Sequence, residues 1–127
     1  MMRRFGTVAV AVALGAAALA GCSSDGGGSA YVPPTGPAIK TLQVSAKNFA
    51  FTPNQLSTPA GIIQFDLTST GGIHDLVIEG QPGFMVEVSG DGAKDSGKIK
   101  LKAGKYTFFC DISGHRAQGM EGTLTVT

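Results

Sequence analysis

The run Tyr106-Thr-Phe-Phe-Cys110-Asp-Ile-Ser-Gly-His115-Arg-Ala-Gln-Gly-Met120-Glu-Gly-Thr-Leu-Thr-Val126 contains two strand-like stretches joined by one short loop. Tyr106 to Cys110 and Gly122 to Val126 are rich in aromatic and β-branched residues, the composition of half-buried strands. The loop between them carries a thiol, an imidazole and a thioether, with four residues between Cys110 and His115 and four more between His115 and Met120. Gly114 and Gly119 each precede one of these side chains and permit the turns that bring both back toward the thiol.

Soft sulfur and nitrogen donors at this spacing suit copper. His74 is the only other histidine, and Cys110 is the only cysteine outside the N-terminal leader. A set of His74, Cys110 and His115, with Met120 as a weak fourth ligand, is what a type 1 electron-transfer copper site requires. Such a centre needs nearly one geometry for both oxidation states, because bond-length changes add to the transfer barrier. Two imidazoles, a thiolate and a long thioether contact satisfy Cu(I) and Cu(II) about equally. His74 follows Thr70-Gly71-Gly72 and opens a strand-like run, so two strand ends would meet at one end of the fold. Met85 is the competing methionine, but its apolar surroundings read as core.

Outward from the loop, the chain is strand-like from Ile39 on, with short apolar-alternating runs separated by Gly, Pro, Asn and Asp. This is the pattern of an all-β sandwich, and no amphipathic helix is visible. The expected strands are Thr41 to Ala46, Ile62 to Thr68, Asp75 to Glu79, Phe84 to Val88, Lys98 to Lys102, Tyr106 to Cys110 and Gly122 to Val126. In Lys98 to Lys102 strict alternation sends Ile99 and Leu101 inward and three lysines to water. Phe49, Phe51, Phe65, Phe108 and Phe109 read as core.

The N-terminus reads as an address. Arg3 and Arg4 precede an apolar stretch from Val8 to Leu19, shorter than the roughly 20 residues a membrane span needs. Residues 1–21 are expected to be a signal peptide for general export, with a twin-arginine signal as the alternative. Leu19-Ala20-Gly21-Cys22 resembles the lipobox of bacterial lipoproteins, making Cys22 the expected lipidated residue of an exported protein held on the membrane, facing periplasm or exterior. Residues 22–37, rich in Ser, Gly and Pro, are expected to be a flexible tether, and 38–127 a single domain. A disulfide between Cys22 and Cys110 is the alternative use of the two cysteines, and it would destroy the ligand pattern. Without Arg3 and Arg4 the formal charge of +1 becomes −1, which argues against nucleic acid as a partner.

From about Ile39 to Thr127 the chain resembles the cupredoxins, the blue-copper family that includes plastocyanins, azurins and auracyanins. The resemblance rests on Asn48 to Asn54, on isolated His74 followed by a β run, and on the Cys-x4-His-x4-Met loop closing into Glu121 to Val126. It implies a Greek-key β-sandwich of about seven to eight strands, with His74, Cys110 and His115 as tight ligands of one copper ion and Met120 as the axial ligand. It also implies a monomeric electron carrier rather than an enzyme, with the ring of His115 emerging through an apolar patch, beside Ala117 and Gly119, toward a transient redox partner protein. The residue after the first histidine is often Asn in that family, bonding across to the cysteine loop; here it is Asp75.

Two other functions compete. Copper or iron handling uses similar domains, although the methionine and histidine clusters of storage proteins are absent from this chain. A metal-free interaction module is the other. One cysteine near the site excludes a dinuclear thiolate-bridged centre, and no histidine is left over for a catalytic second copper. Zinc fits the same ligands and competes for them.

Overall fold

The computed structural model describes residues 30–127; the leader, Cys22 and the first part of the tether lie outside them. Nine strands form: β1 (Lys40–Lys47), β2 (Ala50–Thr52), β3 (Gln55–Thr58), β4 (Gly61–Ser69), β5 (Ile73–Ile78), β6 (Val86–Ser89), β7 (Lys94–Leu101), β8 (Gly104–Phe109) and β9 (Glu121–Val126). Among the described residues the only helical element is a 3-10 turn, Arg116–Gln118. The strands build two sheets, ordered β2-β1-β4-β7 and β3-β9-β8-β5-β6. The chain crosses repeatedly between them, so β1 lies parallel to β4 and β3 parallel to β9.

Alternation decides what each strand buries. Leu42, Val44 and Ala46 of β1, and Ile63, Phe65 and Leu67 of β4, point inward from the first sheet, as do Ile99 and Leu101 of β7. Leu76, Ile78, Phe108, Leu124 and Val126 meet them from the second. Aromatic rings span the interior, with Phe51 tilted 5.4 Å from Phe108 and Phe65 tilted 5.8 Å from Phe84. β7 is an edge strand, and its exposed Lys100 and half-exposed Lys98 give that edge a charge that discourages pairing with another chain.

The structure corrects several expectations. The described residues hold nine strands rather than seven or eight, because Asn48 to Asn54 contributes β2 to one sheet and leads into β3 of the other. Pro53, between them, has no N–H to give a ladder, so the chain changes sheets there. β7 begins at Lys94, where Lys94-Asp-Ser-Gly97 carries no apolar alternation but pairs with Asp66–Thr68 and neighbouring residues of β4. Met85 is exposed, not core, since Phe84 and Val86 on either side face inward. The tether is docked over its last part. Tyr31 packs edge-on against Phe84 at 5.6 Å, its hydroxyl donates to the Lys98 carbonyl at 2.5 Å, and Lys98 Nζ donates to the Gly36 carbonyl at 3.0 Å.

The second sheet positions the site. β5 and β8 are antiparallel, with Val77 opposite Phe109 and Ile78 opposite Phe108, so the start of β5 and the end of β8 reach the same end of the sandwich. β9 returns from that end beside β8, with Gly122 opposite Phe108. A Cβ at Gly122 would run into the Phe108 ring and the Asn54 carbonyl, and both are fixed in the core or backbone. Gly122→Ala is therefore expected to destabilise the fold by about 3 kcal/mol, read as a lowered midpoint in denaturant unfolding.

Candidate metal centre

His74 is the second residue of β5, and its ring is fully buried. Its Nε2 lies 2.9 Å from the Gly71 carbonyl, which can only accept, so the ring proton sits on Nε2. That leaves Nδ1 with a free lone pair, and Nδ1 is buried with no hydrogen-bond partner. Gly72 makes this placement possible: its φ of +84° suits glycine, and a Cβ there would come within 2.9 Å of Asn48 Oδ1 and 3.1 Å of His74 Nε2.

Cys110 follows the last residue of β8, one position beyond the strand expected to end on it, and is a fully buried free thiol. Its Sγ stands 3.5 Å from His115 Nδ1. Burial pushes the thiol pKa up, an effect partly opposed by backbone hydrogen bonds at Asp75 and Ile112. One donor atom from each of His74, Cys110 and His115 falls within 4.8 Å of the others. Donors placed about 2.0–2.3 Å from a shared ion stand roughly 3.5–4 Å apart, so the cluster matches one metal ion. An isolated buried imidazole nitrogen is unfavourable, and a cation against His74 Nδ1 removes that cost.

The loop that carries three of the four expected ligands is pinned by its own backbone. The Cys110 amide donates to the Met120 carbonyl at 3.1 Å, and the Met120 amide donates to the His115 carbonyl at 3.2 Å. The 3-10 turn after His115 closes on Gly119, whose left-handed φ of +103° ends it, and Met120 is then delivered fully buried. Asp75 ties this loop to β5: its buried carboxylate accepts the Asp111 amide at 2.5 Å. The cross-link expected of an Asn at this position is thus made by Asp75.

His115 differs from His74 in being only half-buried. Phe49 meets its ring edge-on at 5.0 Å, and the His74 ring lies 5.3 Å away. Phe49 is 39% exposed, so it caps the site instead of filling the core, and Phe109 is also only partly covered. Nothing in the periodicity around Asn48 marks this, because the role depends on a contact with a residue 66 positions later. Arg116 also escapes a sequence reading. Its guanidinium lies 4.0 Å over the Phe109 ring and pairs with Glu79 at 3.3 Å and Glu121 at 3.0 Å.

Residues 38–127 match the family described as copper binding proteins, plastocyanin/azurin family. The chain belongs to this family. Solved structures with the same fold include auracyanin B, 24% identical over 80% of this chain and 96% of that one, with a TM-score of 0.63. The dithionite-reduced auracyanin of Roseiflexus castenholzii is 21% identical over 72% of this chain and 99% of its own, at TM-score 0.59. Auracyanin A, a "blue" copper protein from Chloroflexus aurantiacus, is 16% identical over 68% and 98%, at 0.56. No match is found among curated protein sequences.

The protein is a cupredoxin, and its cofactor is one copper ion in a type 1 site. Bound copper supplies a one-electron couple. In this cupredoxin the buried Asp75 carboxylate would sit beside the thiolate, where negative charge favours the more positive oxidation state. Asp75→Asn keeps an oxygen for the Asp111 amide but removes that charge. The variant is expected to have a higher reduction potential; a tenfold change in relative stability of the two states corresponds to about 59 mV, and voltammetry of both proteins reads it directly.

Proposed function

We propose that this cupredoxin carries single electrons between protein partners outside the cytoplasmic membrane, and that a lipid on Cys22 holds it there. His74, Cys110 and His115 would be the tight copper ligands, with Met120 axial. The observation that carries the reading is the buried, unpartnered Nδ1 of His74 beside a buried thiol and a second imidazole. This donor set serves both oxidation states with little rearrangement, and the surrounding fold leaves little freedom to rearrange. Phe49 packs edge-on against the His115 ring and Met120 is buried, while His115 itself stays partly open.

The exposed apolar residues at this end, Phe49 and Ile73, suit a small and transient contact with a redox partner. No helix among the described residues has the length and apolarity to cross a membrane. In this reading, attachment rests on the Cys22 lipid.

Cu(II) added to the metal-free protein is expected to bind at one ion per chain and to produce an intense thiolate-to-copper band. Ascorbate should bleach the band, and Cys110→Ser should never show it. A folded, zinc-free wild type that stays colourless would refute the assignment. For the anchor, cells expressing wild type should yield the protein in the membrane fraction with labelled fatty acid incorporated, and Cys22→Ala should lose both the label and the membrane association. Equal membrane recovery of the variant would remove the lipid from this account.

A further inference from the structure

We propose that Arg116 is a positioning residue for the copper centre, a clamp that holds the ligand loop in its copper-ready shape before the metal arrives. Three of the four expected ligands lie between Cys110 and Met120, yet most other residues of this loop, including Asp111, Ser113, Gly114 and Ala117 to Gly119, are exposed. A loop with so little buried surface has little packing to fix it. Its backbone bonds are largely internal, from His115 to Ile112, from Gln118 to Gly114 and from Met120 to His115. They shape the loop without setting its position against the sheets.

Beyond the Phe49 ring on His115 and the packing of Ile112 on the core, Arg116 supplies the polar external connection. It stands directly after His115, in the 3-10 turn that leads to Met120. Its guanidinium lies on Phe109, the residue before Cys110. It also bridges Glu79, just beyond β5, and Glu121, the first residue of β9. One side chain thus joins both ends of the loop and the strand that carries His74. Each contact is partly exposed and modest by itself. Their value lies in geometry, because a planar fork can stack on a ring and address two carboxylates at once, which a lysine ammonium does less well. Asp75 anchors the Cys110 side through the Asp111 amide, and Arg116 anchors the His115 side.

The test reads the loop without copper, so it stands apart from the copper assignment on which the functional consequence rests. Amide hydrogen exchange of the metal-free full chain should show the His115, Gln118 and Met120 amides protected. In Arg116→Gln these should exchange about tenfold faster, while core amides of β4 such as Phe65 and Leu67 stay unchanged. Glu79→Gln combined with Glu121→Gln should reproduce the effect, which keeps the test open if Arg116→Gln folds poorly. Arg116→Lys should restore only part of the protection. In copper-loaded protein, release to a chelator should accelerate by a similar factor, and the thiolate-to-copper band should broaden. Loop amides unprotected in the wild type, unchanged in both variants, or accelerated equally with the core would overturn the proposal. Full rescue by Arg116→Lys would also overturn it, by showing that charge without the fork suffices.

Discussion

A buried imidazole nitrogen with nothing to bond is the constraint around which this molecule is organised. His74 is completely enclosed, its Nε2 proton is committed to Gly71, and its Nδ1 faces the Cys110 thiol and His115 without a partner. Folding around an unsatisfied polar atom is unfavourable by an amount comparable to a lost hydrogen bond. A fold keeps such an atom when something outside the chain satisfies it. The neighbouring donors are soft and of mixed type, which selects copper over oxygen-seeking cations.

The sandwich makes this arrangement rigid by dividing the work between its parts. β5 and β8 are paired near the site, so the His74 backbone and the Cys110 backbone are held by one sheet. The loop after Cys110 is then fastened at successive points: the Cys110 amide to the Met120 carbonyl, the Asp111 amide to Asp75, and the Met120 amide to the His115 carbonyl. A site held this way keeps nearly one geometry in both oxidation states of copper, which the proposed electron-carrying role requires. The raised thiol pKa belongs to the same design, because the dry surroundings that disfavour a lone thiolate also keep water from the metal.

Much of this was legible in the sequence, and what was not has a common cause. The ligand loop could be read because its chemistry is local, with three donors and two turn glycines in eleven residues. β1, β4 and β9 could be read because apolar alternation is a local signal as well. The start of β7 could not, since Lys94 to Gly97 is strand only through pairing with β4. Met85 sits in an apolar run and so reads as core, whereas the pleat turns it outward between Phe84 and Val86. Phe49, Tyr31 and Arg116 act through partners 66, 53 and up to 37 positions away, and no periodicity encodes such contacts. Asp75 lies between these cases: its position next to His74 marked it, but its bond to Asp111 needed the fold.

The two histidines show how one cluster can both shelter a metal and expose it. His74 sits within the sheet, where burial and the Gly71 bond fix its ring, and it offers no route to the surface. His115 sits on the exposed loop, half covered, with Phe49 against one side. Electron transfer between proteins depends steeply on separation, so a carrier needs one ligand near its surface, yet every exposed ligand admits water and motion. Placing the open ligand on a clamped loop and the closed one on a strand meets both demands. The asymmetry also gives the molecule a direction. In the carrier role proposed above, a partner would meet the end that holds Phe49, Ile73 and His115, while the segment from Tyr31 to Gly36 is docked against Phe84 and Lys98.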